Sequence, residues 1–139
     1  MCDYDFSCWV VKYDGSRVHG RIYQKDSLKN NDNIFVPLCW NHNHFDSNNV
    51  LGTALLEHRD GDGVYAYCRL NDGPYLENII KLLKDRGMLA LSPFVNQIKY
   101  NGNIIMCGSI REVSLVPERV DKNELYYPVL KEDCNGYRT

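Results

Sequence analysis

Apolar and polar residues alternate with a period of two over much of the chain, and this pattern predicts a protein built mainly of β-strands. Near the start, Tyr4, Phe6, Cys8 and Val10 stand at every second position. Turn signals of the hairpin type occur at Asp14-Gly15, Arg59 to Gly63 and Asn101-Gly102. The predicted strands are 4–10, 17–23, 34–40, 50–57, 64–70, 88–95, 96–100, 103–107 and 109–116.

One helix is predicted among these strands. Pro74 suits a first helical position and Gly87 is placed to end the helix. Between them the apolar residues recur at helical spacing and form one stripe, at Leu76, Ile79, Ile80 and Leu83. Residues 24–33 are polar and rich in turn formers, which predicts a surface loop.

The expected fold class is therefore mostly β (α+β), with an antiparallel β-barrel of about seven or eight strands and a flanking helix. The chain has 139 residues, which is the size of one ordinary domain. We assign residues 1–116 to this domain and residues 117–139, which are polar and without a strong period, to a C-terminal tail of unclear structure.

Charge and apolar runs exclude several classes of protein. Sixteen Lys and Arg against eighteen Asp and Glu give a net charge of −2, whereas a nucleic-acid binder needs a basic face. The longest apolar stretch, Ile34 to Trp40, is far shorter than the roughly 20 residues that span a membrane. The acidic start lacks a secretory signal, so we expect a cytoplasmic protein. From the charge and the short apolar runs we expect no nucleic-acid or membrane partner.

The chain contains six cysteines, and none of them forms a C-x-x-C pair. This spacing excludes a zinc ribbon or a thioredoxin-type motif. In a reducing compartment we expect free thiols, several of them at inward strand positions where cysteine acts as a small apolar residue. We assign the cysteines no function and expect no cofactor.

Three segments contain a reactive group that strand packing does not require. His42 lies in Asn41-His42-Asn43-His44-Phe45-Asp46, directly after a predicted buried strand, where an imidazole is able to act as a general base. On its own, this segment favours a surface loop that contains two histidines. Ser92 lies within an apolar strand, where its hydroxyl needs a hydrogen-bond partner. Pro93 cannot donate to a sheet and indicates an edge, a bulge or a strand end.

Glu112 is the third candidate. Alternation puts Ile110, Glu112 and Ser114 on one face of the predicted strand, with Val113 and Leu115 on the other. Because both faces are largely apolar, the strand is expected to be covered on both sides, and a carboxylate there needs a partner. A salt bridge to a nearby Arg or Lys would suffice. The functional interpretation is that Glu112 holds the ring of His42, as the acid of a catalytic triad does.

Two classes of hydrolase therefore remain open from the residues alone. One is a serine hydrolase that uses His42, Ser92 and Glu112, for which sequence separation is not diagnostic. The other is a zinc hydrolase in which His42-x-His44 presents two rings on one side of an extended chain and Asp46 adds an oxygen ligand. No clear further metal ligand follows in the sequence, so we expect no metal.

At the same three places the chain resembles the prohead maturation proteases of tailed bacteriophages, which are related to the herpesvirus assemblin proteases. The matching segments occur in family order over residues 5 to 116. They are Asp5-Phe6-Ser7, Val36 to His42, Val50-Leu51-Gly52, Ala54 to Glu57, Gly63 to Tyr67, the helix, Ala90-Leu91-Ser92 and Ile110 to Val116. Each segment is weak alone, and the ordered set is specific.

The resemblance implies a serine endopeptidase with an assemblin-like β-barrel. Such proteases cleave scaffolding protein, or a scaffolding segment of the major capsid protein, inside the immature capsid in the host cytoplasm. The family's histidine, serine and glutamate fall on His42, Ser92 and Glu112. His44 fits a subgroup pattern and is a second candidate for orienting or binding. By analogy with assemblin relatives, a homodimer is a further expected partner.

One departure from the family pattern is Pro93. Many relatives have a small or flexible residue after the serine, whereas proline supplies no N–H for an oxyanion. The donors are then expected from the N–H of Phe94 or from a water held near Arg111. The same departure leaves open another function, in which the protein keeps the protease fold but binds scaffold without cleaving it.

Overall fold

The computed structural model describes residues 4–15, 17–18, 20–40, 50–73, 76–84, 89–117 and 129–130. This part of the chain is mostly β, as the alternation predicted. Its strands are β1 (Phe6–Lys12), β2 (Arg17–Val18), β3 (Arg21–Tyr23), β4 (Ile34–Trp40), β5 (Val50–Arg59), β6 (Gly63–Leu70), β7 (Leu89–Asn101), β8 (Ile104–Pro117) and β9 (Val129–Leu130). The helix α1 spans Leu76–Lys84.

All the strands belong to one curled sheet with the order β2-β3-β8-β4-β5-β6-β1-β9, and β7 pairs with the other edge of β8. The prediction of a purely antiparallel barrel is wrong, because β8 runs parallel to both β3 and β4. The reason is length. The 14-residue β8 pairs with the short β3 near its start and with β4 near its end, so two strands share one edge of it.

The connection between β3 and β4 passes beside the middle of β8, where no described strand pairs on that side. Here the side chain of Asn31 replaces a strand. Its amide nitrogen donates to the carbonyl of Gly108 at 3.0 Å, and its oxygen accepts from the N–H of Ile110 at 2.8 Å. Asn31 is 2% exposed. One buried amide thus satisfies two backbone groups that would otherwise carry a desolvation penalty.

The prediction that residues 24–33 form a surface loop is therefore wrong for part of the segment. The turns bury Leu28 completely in the hydrophobic core and bury Ser27 and Asn31 as well. Composition indicated a loop because the remaining residues are polar. The side chains of Leu28 and Asn31 nonetheless fill the gap beside β8, and we call residues 24–33 the filler segment.

Two further strand predictions need correction. Residues 17–23 form a hairpin of β2 and β3 instead of one strand, because the chain turns at Gly20, whose φ is 76°. The four strands predicted between residues 88 and 116 are two long strands, β7 and β8. Register shifts within the pair interrupt the regular alternation and made each strand look like two. The predicted turn at Asn101-Gly102 is confirmed, with φ of 63° at Gly102.

The core lies inside the curl of the sheet. It contains Phe6, Val10 and Val11 from β1 together with inward residues of every long strand. The curl also packs β1 against β7. Helix α1 packs on this core through Ile79, which is buried, and through the partly buried Leu76 and Ile80. Among the described residues, no helix is long and apolar enough to cross a membrane.

Replacement of Asn31 by alanine should destabilise the protein strongly. It would leave the buried carbonyl of Gly108 and the N–H of Ile110 without the amide, and the expected cost is about 2–4 kcal/mol. Urea unfolding measures this as a lower midpoint with an unchanged slope. Lys29→Ala, at an exposed position of the same segment, is the matched control and should unfold like the wild type. Equal midpoints for both variants would contradict the bridging role of Asn31.

Candidate functional site

A row of three small polar side chains crosses the sheet where β7, β8 and β4 lie side by side. Ser92 on β7 pairs with Ser114 on β8, and Ser114 pairs in turn with Cys39 on β4. Directly paired residues project from the same face of a sheet, so these three side chains are neighbours. All three are buried, with Ser92 7% exposed and the other two not exposed.

Glu112 belongs to the same group. It lies two residues before Ser114 on β8 and is 2% exposed. The hydroxyl of Ser114 donates to its Oε1 at 3.0 Å. The structure thus brings two of the predicted residues, Ser92 and Glu112, onto adjacent strands, with Ser114 between them. A buried carboxylate is stable only with such hydrogen bonds, as the sequence argument required.

A one-residue irregularity of β8 decides which face Ile110 occupies relative to Glu112. Phe94 pairs with Glu112, but the next residue of β7, Val95, pairs with Ile110, so Arg111 has no partner in the register. This bulge puts Ile110 in the hydrophobic core, whereas simple alternation put it on the face of Glu112. The expectation that the strand is covered on both sides is confirmed, since residues 112 to 115 are all buried.

Burial and the nearby carboxylate raise the pKa of the Cys39 thiol to about 12. Desolvation is the larger cause, because the side chain is fully buried, and the hydrogen bond and negative charge of Glu112 act in the same direction. Cys39 is therefore a protonated thiol that is able to donate to the carboxylate. It is a poor nucleophile, since the thiolate is the reactive form.

The surroundings of Ser92 show what its neighbours are able to supply. Pro93 lies in the middle of β7 and pairs with Val113 on β8. Among the described residues, β7 pairs with β8 alone, so β7 is an edge strand, which is one of the positions predicted for Pro93. Phe94 is 41% exposed and adjoins the bulge. Arg111 is exposed and donates from Nε to the side-chain oxygen of Asn96 at 2.8 Å.

His42, His44 and Asp46 lie outside the described residues. The triad and the zinc arrangement therefore stay predictions at these positions. The described part of β4 ends at Trp40, which pairs with Leu115 on β8. Trp40 is thus one row beyond the row of Ser92, Ser114 and Cys39.

Within the part of the chain that the structure describes, one other group has the spacing of a metal site. Ligand atoms of Asp26, His58 and Asp60 lie within 4.8 Å of one another. The ring of His58 is already engaged on both sides: Nδ1 is 3.1 Å from Asp60, and Nε2 is 2.9 Å from the hydroxyl of Tyr13. A metal ion would have to displace one of these bonds.

We interpret Asp26, His58 and Asp60, here called the His58 group, as a hydrogen-bonded cluster with a structural role. With Asp60 accepting from Nδ1–H, the Nε2 lone pair accepts the hydroxyl proton of Tyr13. Burial raises the pKa of Tyr13 to about 12, and the charges of Asp26 and Asp60 add to this effect. Tyr13 in turn accepts from the N–H of Leu28 at 3.2 Å. The group therefore connects the turn after β5 to the filler segment beside β8.

Comparison of the chain with protein-family models, with curated proteins and with solved structures finds no match. The family resemblance therefore depends on the segments quoted above, and the functional argument depends on the site itself.

Sequence reasoning singled out Ser92 and Glu112 but assigned nothing to Ser114, Cys39 or the His58 group. Ser114 was detectable, because it is two residues from Glu112 on the same predicted face. Cys39 carried no signal, since its partner Ser114 comes from a strand far along the chain. His58 gave no signal either, because only Asp60 is near it in the sequence, whereas Asp26 and Tyr13 come from segments far along the chain.

Thiol labelling should distinguish the buried Cys39 from the partly exposed Cys107 on β8. At pH 8 a thiol with a pKa of about 12 is ionised to the extent of only about 1 part in 10⁴, and Cys39 is also buried. Cys107 is partly exposed. Brief treatment of the native protein with iodoacetamide should modify Cys107 and leave Cys39 intact, as peptide mass analysis will show. In urea both should react, and rapid labelling of Cys39 in the native protein would contradict its burial.

Proposed function

We propose that the chain is a serine endopeptidase of phage capsid maturation, with Ser92 as nucleophile, His42 as general base and Glu112 as the acid that orients the histidine. Its substrates in this proposal are the scaffolding protein or the scaffolding segment of the major capsid protein, within the prohead in the bacterial cytoplasm. The observation that carries the proposal is the adjacency of a buried serine and a buried, hydrogen-bonded glutamate on β7 and β8.

The packing of these two residues supports the proposal. The Oε1 of Glu112 accepts a hydrogen bond from the hydroxyl of Ser114, and Cys39 lies beside the same carboxylate. These two contacts orient the carboxylate next to the row of Ser92, Ser114 and Cys39. A carboxylate of this kind stabilises an imidazolium that forms beside it during proton transfer.

The end of β4 supports the inclusion of His42. Trp40 pairs with Leu115, next to the row that contains Ser114 and Ser92. His42 follows Trp40 by two residues in the sequence, so the proposal requires it to reach this row from the end of β4.

The proposed chemistry is acyl transfer in two steps. The oxygen of Ser92 attacks the scissile carbonyl carbon while His42 removes the hydroxyl proton and then gives it to the leaving amine. Water, deprotonated by the same histidine, then releases the acyl group and restores Ser92. Glu112 stays ionised throughout and holds the ring of His42 by accepting its other N–H.

The finer fold assignment belongs to the same proposal. An assemblin-like barrel is consistent with a curled sheet that packs β1 against β7 and carries α1 on its core. In the proposal the N–H of Phe94 supplies an oxyanion donor in place of Pro93. His44 assists in orienting or binding, and a water near Arg111 is the other source of a donor.

Pro93 favours one second candidate function. Proline at the position after the nucleophile removes a backbone donor from the place where charge develops during acyl transfer. A protein without a substitute donor would bind scaffold on the same fold and release it uncut. Terminal mass analysis of scaffold and capsid proteins after co-expression separates the two functions, since only the protease produces new termini.

Replacement of Ser92 by alanine should abolish cleavage of the co-expressed scaffold. Loss of the nucleophile removes the acyl-enzyme route, so product should fall by at least about 10³-fold while the melting temperature stays near that of the wild type. Ser109→Ala is a matched control on β8, where the hydroxyl only donates to Gln97 at 3.2 Å. Retained cleavage in the Ser92 variant would defeat the assignment.

Replacement of Glu112 by glutamine should reduce cleavage less than the loss of Ser92. The amide keeps the shape of the side chain but removes the charge that stabilises the imidazolium. A melting curve must accompany the assay, because an amide beside the hydroxyl of Ser114 alters a buried hydrogen bond. A folded variant with wild-type cleavage would show that Glu112 is only structural.

A further inference from the structure

The outer face of β4, β5, β6 and β1 is unusually aromatic. Tyr4 packs against Tyr67 with ring centres 4.9 Å apart, Tyr67 packs against Tyr65 at 5.4 Å, and Tyr65 meets the edge of Trp9 at 5.1 Å. Across the same face, Phe35 on β4 is 72% exposed. A bulky apolar side chain left in water at this level is a common mark of a binding surface when it adjoins other apolar groups.

Phe35 is at the edge of a groove on this face. The groove has a volume of about 280 Å³ and is lined by Tyr4, Phe35, Thr53, Leu55, Tyr67 and Arg69. This volume is slightly below the roughly 300–1,000 Å³ of small-molecule sites. It suits a single aromatic or large aliphatic side chain, which is how one anchor residue of a macromolecular partner is held.

Fixed positive charge adjoins the groove. The guanidinium of Arg59 lies 3.9 Å from the ring centre of Tyr65 and 5.1 Å from that of Trp9. Its Nε donates to Glu57 at 2.6 Å, and one terminal nitrogen donates to the hydroxyl of Tyr67 at 3.1 Å. Stacking and hydrogen bonds hold this cation in place before any partner binds, so little side-chain entropy is lost on binding.

The charge balance of this face differs from that of the whole chain. Among the described side chains of this face, Lys12, Arg59 and Arg69 are cationic and Glu57 and Asp5 are anionic, so these five sum to +1, whereas the chain has a net charge of −2. A partner with carboxylates around an apolar residue complements such a surface. A second copy of this chain does not, because a symmetric contact would bring the same cations together.

We propose that this groove, which we call the aromatic groove, binds an acidic, extended polypeptide segment through one bulky apolar side chain. The apolar side chain enters between Phe35, Leu55 and Tyr67, and flanking carboxylates meet Arg69 and Arg59. Single-stranded nucleic acid fits less well, since Trp9 and Tyr65 meet edge to face at 86° and do not present parallel platforms for bases. The proposal is independent of the proposed protease activity.

The test is a binding titration with a labelled peptide of about eight residues, one central Phe among Asp and Glu, on the full chain carrying Ser92→Ala to prevent cleavage. Fluorescence anisotropy should show saturable binding that weakens when salt rises from about 0.05 to 0.5 M. Phe35→Ser should weaken binding about tenfold, since it removes one wall of the apolar contact. Arg69→Gln should weaken binding and reduce the salt dependence.

Three comparisons make the outcome decisive. Met106→Ser, at a 38% exposed position of β8 outside the groove, should bind like the parent protein. Peptides with Ser for Phe, or with Asn and Gln for the acids, should bind at least about tenfold more weakly. Unchanged binding by the Phe35 variant overturns the proposal. So does equal binding of the uncharged peptide, tighter binding of a thymidine oligonucleotide, or a dimer in sedimentation that Phe35→Ser dissociates. None of these results tests whether the intact protein cleaves scaffold, so the two proposals are able to fail separately.

Discussion

The side-chain amide of Asn31 holds the middle of β8, directly before the segment that carries Glu112. The amide satisfies Gly108 and Ile110 in the stretch of β8 between the regions paired with β3 and β4. The bulge at Arg111 follows immediately and reverses the alternation, so that Ile110 enters the core while Glu112 and Ser114 lie on the other face. An uninterrupted strand would have put Ile110 on the face of Glu112 and Ser114, away from the core. The filler segment beside β8 is therefore part of the support of the candidate site.

Local patterns predicted the strands and the helix well where one face is apolar and the chain is regular. The helix at 76–84 follows from its apolar stripe, and the turn at Asn101-Gly102 follows from turn chemistry. The strand at 34–40 was predicted from an unbroken apolar run as a buried strand, but Phe35 and Pro37 on one of its faces are exposed. The parallel pairing of β8 had no local signal, because it joins segments that are distant in sequence. The role of Asn31 was also invisible, since an asparagine in a polar segment looks the same whether its amide faces water or two buried backbone groups.

Two reactive groups of the candidate site were predictable from the sequence, whereas the residues that surround them were not. A serine and a glutamate in apolar strands each demand an explanation from burial alone, and both are buried in the fold. Their neighbours Ser114 and Cys39 became evident only through the strand register. The aromatic groove was missed because its residues alternate with core positions on β4, β5 and β6 or, for Tyr4, lie just before β1, so each aromatic looked like an ordinary strand residue.

The parallel pairing of β4 with β8 has a consequence for the order of folding. The β5–β6 and β7–β8 hairpins join neighbouring segments and are able to form early, whereas Leu38 meets Val113 only after most of the intervening chain has been ordered. Closure of so long a loop carries a large entropic cost that later contacts must offset. Ser92 and Glu112 would thus become adjacent before the end of β4 packs beside them, and a partly folded chain would contain only part of the candidate site. In the proposed protease, hydrolysis would therefore require completion of the tertiary structure.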